Sequence, residues 1–203
     1  LVGSEMCIRD RDATSPRYFN DGKYKVQNYG NHNYGHISLA RATELSSNTA
    51  YVDLGEKIGI SKVVDMGAKL GIDSTLNPNP SLVLGTAGVT PMEMAEVYAT
   101  LANGGVHNDP YGISEIVGRT GKQLYKVQPN AKQVVDKKVA SVVTEVLEGV
   151  VENGTAKGYG CKYQPVAGKT GTTSDVKDLW FCGYTPDMAV SVWISRAAGQ
   201  VTR

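Results

Sequence analysis

Cysteine is scarce in this chain. Only Cys7, Cys161 and Cys182 occur among 203 residues, at spacings that fit neither a zinc site nor a Cys-x-x-Cys redox pair. If Cys161 and Cys182 lay on neighbouring strands of one hairpin they would not stand opposite each other, so a disulfide between them is disfavoured. Histidine is equally rare. His32, His36 and His107 read as polar loop residues, and they form no ligand cluster that would imply a metal. An excess of one charge is missing too: 21 Lys and Arg face 20 Asp and Glu, a net charge of +1. That balance offers no broad surface for nucleic acid. No run approaches the roughly 18 consecutive apolar residues of a membrane span, and no secretory signal opens the chain.

What remains is enough for one domain with a hydrophobic core. Residues 12–36 are rich in Asn, Gly, Tyr and His and read as loop with short strand-forming pieces. Helical patterning begins near Ile37 and predicts one short helix over His36–Ser46 and a second over Asn48–Ile58. Ser46-Ser47-Asn48 forms the boundary between them, because such side chains cap backbone donors. Ser61 is placed to cap a third helix that Gly71 stops. Thr90-Pro91-Met92-Glu93 is a helix start with a capping box, followed by Met94, Val97, Tyr98 and Leu101 on one face and by Asn103-Gly104-Gly105 as terminator. Tyr111–Val117 and Gln123–Val127 read as a hairpin. Asp136 caps a long helix with an apolar stripe of Val139, Val142, Val143, Val146 and Val150. Three strand-like runs close the pattern: Pro165–Gly171, Leu179–Tyr184 and Met188–Ser195. Their short turns favour an antiparallel meander. The fold class is α+β, helices packed on an antiparallel sheet.

Gly168-Lys169-Thr170-Gly171-Thr172-Thr173 carries the most chemical information. A P-loop would need glycine where Tyr163 stands and a helix afterwards, but poor helix formers follow. The other reading is Lys-Thr-Gly on a strand lining a serine acyltransferase cleft. Lys169 then sets a cation beside a substrate carboxylate. Thr170 and Thr172, at alternate positions, turn their hydroxyls to one face and bind that carboxylate. Gly171 lets a peptide-like substrate lie close to the backbone, and the Thr172 N–H can serve an oxyanion.

Together with the blocks around it, this pattern resembles the transpeptidase domain of class A penicillin-binding proteins. The likeness runs from about Tyr18 to Trp193. It includes Gln27-Asn28-Tyr29, Leu39-Ala40-Arg41-Ala42 ahead of Ser46-Ser47-Asn48-Thr49, Val89–Ala95, Tyr98–Val106, Ala167–Thr173, Lys177–Phe181 and Gly183–Asp187. The resemblance implies a penicillin-binding-protein/β-lactamase-like fold without metal or organic cofactor. It implies that Ser46 relays a proton, that Asn48 hydrogen-bonds the acyl-donor peptide, and that Lys169 holds the Ser46 hydroxyl. Thr170, Gly171 and Thr172 would bind substrate. The implied partners are peptidoglycan stem peptides and β-lactams, at the extracytoplasmic face of the bacterial membrane, with a membrane anchor upstream.

Several departures from the family pattern qualify that expectation. The family's Ser-x-x-Lys nucleophile motif should precede Ser46. The one match here, Ser174-Asp175-Val176-Lys177, lies after Lys169-Thr170-Gly171. Residues 1–11 resemble one translated frame of a transposon-type sequencing adaptor, so the domain is expected to cover 12–203, incomplete at both ends and inactive alone. Past Trp193 the sequence also leaves the family pattern, and Cys182 stands where a small aliphatic is usual. A non-catalytic sensor or scaffold of the same fold, and a D,D-carboxypeptidase or β-lactamase, are the alternatives.

Overall fold

The computed structural model describes residues 10–173 and 176–196. Four short strands come first: β1 (Asp10–Asp12), β2 (Arg17–Phe19), β3 (Tyr24–Val26) and β4 (His36–Ser38). β2 and β3 form a hairpin, and β1 pairs antiparallel with β4. Asp10 and Arg11 lie in the stretch expected to fall outside the fold, yet both pair in β1, so a boundary at Asp12 cuts through a strand. Residues 1–9, Cys7 included, lie outside the described residues.

Three helices follow: α1 (Leu39–Glu44), α2 (Asn48–Ile58) and α3 (Ile60–Lys69). The helix expected to start at His36 begins at Leu39 instead. His36–Ser38 are held in the β1–β4 ladder, and the Ser38 hydroxyl accepts from Arg41 N–H as the cap. α2 has the expected bounds, capped by Ser47. α3 is not capped by Ser61. Gly59, at φ 90°, breaks the chain between α2 and α3 two residues before that serine.

α4 (Pro91–Ala102) starts on the expected capping box, with Thr90 and Glu93 bonded reciprocally. Then come β5 (Val106–His107), the hairpin β6 (Glu115–Val117) and β7 (Gln123–Lys126), and β8 (Lys132–Gln133), which pairs with β5. α5 (Lys137–Asn153) is capped by Asp136. Its buried face is Ala140, Leu147, Val150 and Val151; of the expected valine stripe Val150 is buried and Val143 packs against the main cluster, while Val139 is exposed. The stripe therefore marks part of the packed face and omits Ala140, Leu147 and Val151.

β9 (Ala167–Thr172), β10 (Asp178–Thr185) and β11 (Met188–Ser195) form the expected meander, in the order β11-β10-β9. Only Pro186 and Asp187 separate β10 from β11, so the two strands must run antiparallel. α4 and α5 cover this sheet. Val97 and Tyr98 from α4 and Leu147 from α5 meet Ala167, Cys182 and Tyr184 in the main cluster, so Cys182 serves as a small buried hydrophobe. Burial of such side chains is worth roughly 1.5–3 kcal/mol each. The β6–β7 hairpin, exposed at every residue of both strands, has no such anchor. The packed α4–α5–sheet unit carries β9.

Candidate active site

The site is built from two elements far apart in sequence. The first is the junction between α1 and α2. α1 stops after Glu44, and Ser46 takes the left-handed backbone conformation, φ 54°. That region costs a residue with a Cβ about 1 kcal/mol or more, and such strain persists only where surroundings enforce it. Here they do. The Ser46 and Ser47 N–H groups donate to the carbonyls of Thr43 and Ala42. Ser47, 1 % exposed, is fixed through its hydroxyl to Asn28 Oδ1 at 3.1 Å.

Asn28 is the hub of that fixation. Its Oδ1 also accepts from the Thr49 N–H and hydroxyl, and its Nδ2 donates to the carbonyls of Ala13 and His32, each at 3.0 Å. Next to it, the Gln27 carbonyl accepts from Asn48 Nδ2 at 2.8 Å. Asn48 is thus tethered by one amide hydrogen beside the cleft. Sequence reading found Gln27-Asn28 only as part of a family block. A polar residue in a loop gives no periodic signal, so its role as a buried hub was missed.

The second element is β9. Lys169 lies opposite Cys182 in the β9–β10 register. Its Nζ donates to Ser46 Oγ at 2.8 Å, across 123 residues of sequence, and to the Thr170 carbonyl at 3.0 Å. Burial lowers the Lys169 pKa to about 8, because an ammonium removed from water loses solvation. With the Ser46 oxygen accepting from the lysine, the hydroxyl proton of Ser46 is turned away from it. That arrangement suits a group that passes a proton.

Thr170 and Thr172 follow on the same strand. Thr170 is half-buried, and its hydroxyl lies 2.7 Å from the Thr155 hydroxyl; Thr172 is exposed at the strand end. A Cβ at Gly171 would stand 3.2 Å from Trp180 Cβ, so glycine here relieves the cross-strand neighbour as well as leaving the backbone open. Of the expected site residues, the structure joins Ser46 and Lys169 by a direct hydrogen bond. It sets Thr170 beside Lys169, and it holds Asn48 on the Gln27 side of the junction. Ser174 and Asp175, the start of the misplaced Ser-x-x-Lys match, lie outside the described residues.

His107 departs from the loop reading. It sits in β5, and its Nε2 lies 2.5 Å from Glu96 Oε1 of α4. The Asp109 carboxylate is close enough for the three ligand-type atoms to fall within 4.8 Å of one another. A two-residue strand is too short to show as a pattern, so nothing in the sequence placed His107 against α4.

Comparisons with known proteins agree with this geometry. A family model described as the penicillin binding protein transpeptidase domain matches residues 10–200. Penicillin-binding protein 1A of Aquifex aeolicus (strain VF5) is 38% identical over 186 residues, which cover 90% of this chain and 26% of the relative. Penicillin-binding protein 4 of Bacillus subtilis (strain 168) is 32% identical over 177 residues, 85% of this chain and 28% of the relative. The chain thus spans about a quarter of the length of these relatives. Among solved structures, PonA1 from Mycobacterium tuberculosis in complex with penicillin V superposes with a TM-score of 0.83 at 29% identity, over 96% of this chain and 57% of that one. By its sequence blocks, its helices on an antiparallel meander and this match across nearly its whole length, the chain belongs to the penicillin-binding protein transpeptidase domain family, of the class A type.

Proposed function

We propose that the intact parent of this domain is a D,D-transpeptidase of peptidoglycan synthesis. The observation that carries the reading is the Lys169 Nζ to Ser46 Oγ contact at 2.8 Å. It joins a serine at a strained helix junction to a partly desolvated cation on the sheet. The parent's nucleophilic serine, in a Ser-x-x-Lys segment ahead of Ser46, attacks the carbonyl of the penultimate D-alanine of a stem peptide. An ester forms, the peptide bond breaks, and Ser46 delivers the proton that lets the terminal D-alanine leave as an amine. The amine of a neighbouring stem peptide then attacks the ester, loses its proton through the same relay, and restores the serine. Lys169 holds Ser46 in place. Asn48 hydrogen-bonds the acyl donor, while Thr170 and Thr172 take its carboxylate beside Gly171. β-Lactams acylate the same serine. The site lies at the extracytoplasmic face of the cell membrane, with the anchor in another part of the parent; among the described residues no helix is long and apolar enough to cross a membrane.

The 203-residue chain itself forms no acyl-enzyme on this reading, because its single Ser-x-x-Lys match follows β9 instead of preceding Ser46. A fluorescent penicillin tests both halves. Covalent label is expected on the parent and not on the purified chain. Label on the chain would overturn the inactivity, and a parent that takes no label would favour a non-catalytic domain of the same fold.

A further inference from the structure

A residue that the motifs do not include reaches into the carboxylate subsite. α5 ends at Asn153, and the chain turns back through Gly154 and Thr155. There the Thr155 N–H donates to the Glu44 carbonyl at 3.0 Å, at the end of α1 and two residues before Ser46. The approach is very close. A Cβ on Gly154 would stand 2.5 Å from the Glu44 carbonyl oxygen and 2.9 Å from Glu44 Cα, which only glycine avoids. Ala156, fully buried with Val150 and Val151, pins the far side of the turn. The backbone of Thr155 is therefore held by α1, and its side chain spans to β9, where the two hydroxyl oxygens of Thr155 and Thr170 lie 2.7 Å apart.

Proton counting gives this contact a direction. Two hydroxyls at hydrogen-bond distance share one proton between them and leave one free. A carboxylate only accepts, so it binds best where a hydroxyl proton is already turned toward it. If Thr155 donates to Thr170, the Thr170 proton is released for the ligand while its oxygen is satisfied from behind. The pairing also fixes the Thr170 rotamer relative to the junction that carries Ser46, because Thr155 is bonded to both.

We propose that Thr155 is a positioning residue for the carboxylate subsite: it donates to the Thr170 hydroxyl and so aims the Thr170 proton at the carboxylate of the acyl donor or of a β-lactam. The inference rests on the transpeptidase reading of the site. The test uses the parent protein with Thr155→Val and Thr155→Ser, and measures acylation rates for a penicillin carrying a free carboxylate and for its methyl ester. Thr155→Val is expected to slow the free acid about tenfold, roughly 1.4 kcal/mol, because the Thr170 proton is no longer held toward the carboxylate. The ester should slow far less, and Thr155→Ser should restore the preference for the acid. Equal slowing of acid and ester by Thr155→Val, or no slowing of either, would overturn the proposal. If the variant is unstable, melting temperatures show it and the acid-to-ester ratio in the folded fraction still decides. A wild-type parent that is acylated by neither compound would instead overturn the transpeptidase reading itself, and this inference with it.

Discussion

At the scale of single residues, Lys169 and Ser46 show what the site costs the fold. Lys169 has a pKa lowered to about 8 by burial, against an ordinary value of 10.5. Below pH 8 it is charged in both folded and unfolded chains, and the desolvation cost is fully present. Between about pH 8 and 10.5 the unfolded chain holds more protons on this group than the folded one, so stability from this residue rises with pH across that window. Lys169→Met removes the titration. Its stability relative to the parent chain, read from urea midpoints, is expected to be highest below pH 8 and to fall steadily up to about pH 10.5. A flat difference would show that Lys169 is not desolvated. Ser46 stores backbone strain at φ 54°. Ser46→Gly and Ser46→Ala lose the same contact to Lys169, but only glycine is at ease there. The glycine variant should be the more stable by about 1 kcal/mol in urea denaturation.

At the scale of elements, polar ties at helix starts fasten the helices to irregular segments. Glu93 completes the capping box of α4 through the Thr90 N–H, and its carboxylate also accepts from the N–H groups of Asp73 and Ser74 and from the Ser74 hydroxyl. These bonds, that of Thr90 first, hold its pKa down to about 2. The contribution is present above the ordinary carboxylate pKa of about 4.5 and is lost as pH falls toward 2. Glu93→Ala should cost roughly 1.5–3 kcal/mol at pH 7, and the deficit should shrink between pH 4.5 and 2 in urea titrations. The capping box was legible in Thr90-Pro91-Met92-Glu93, because its rule is local. The reach of Glu93 back to residues 73–74 was not, because it joins a helix to an irregular loop. Asn28 makes the same point more strongly. Its amide joins Ala13, His32, Ser47 and Thr49, and no sequence spacing announces that. Asn28→Ala should destabilise the α1–α2 junction by roughly 2–4 kcal/mol, since it strips several buried groups of partners at once. Amide exchange at Thr49 should speed up more than at Leu147, which lies in the separate α4–α5–sheet cluster.

At the scale of the whole molecule, the α+β class and the meander were readable from strand-length runs and short turns, whereas the meeting of Ser46 with Lys169 was not. Periodicity describes what a segment does with its neighbours in sequence. A contact spanning 123 residues depends on how α1, α5 and β9 pack, and only the resemblance of motif order anticipated it. The sheet itself leads to a further expectation. α4 and α5 cover one side of it, while on β11 Val190, Val192 and Ile194 are 40%, 45% and 62% exposed and alternate along the strand. Alternation puts them on one face, and β11 pairs only with β10 among the described residues, leaving an apolar edge as well. Such a surface binds hydrophobic dyes and self-associates. The purified chain should therefore enhance ANS fluorescence and sediment with a concentration-dependent mass. Replacing all three residues with threonine keeps strand propensity and should abolish both signals. Because the Lys169–Ser46 contact belongs to β9 and the α1–α2 junction, two strands away, the triple variant should keep the pH dependence of stability between pH 8 and 10.5 that Lys169 confers. Loss of that dependence along with the dye signal would mean that the β11 face and β9 do not behave independently.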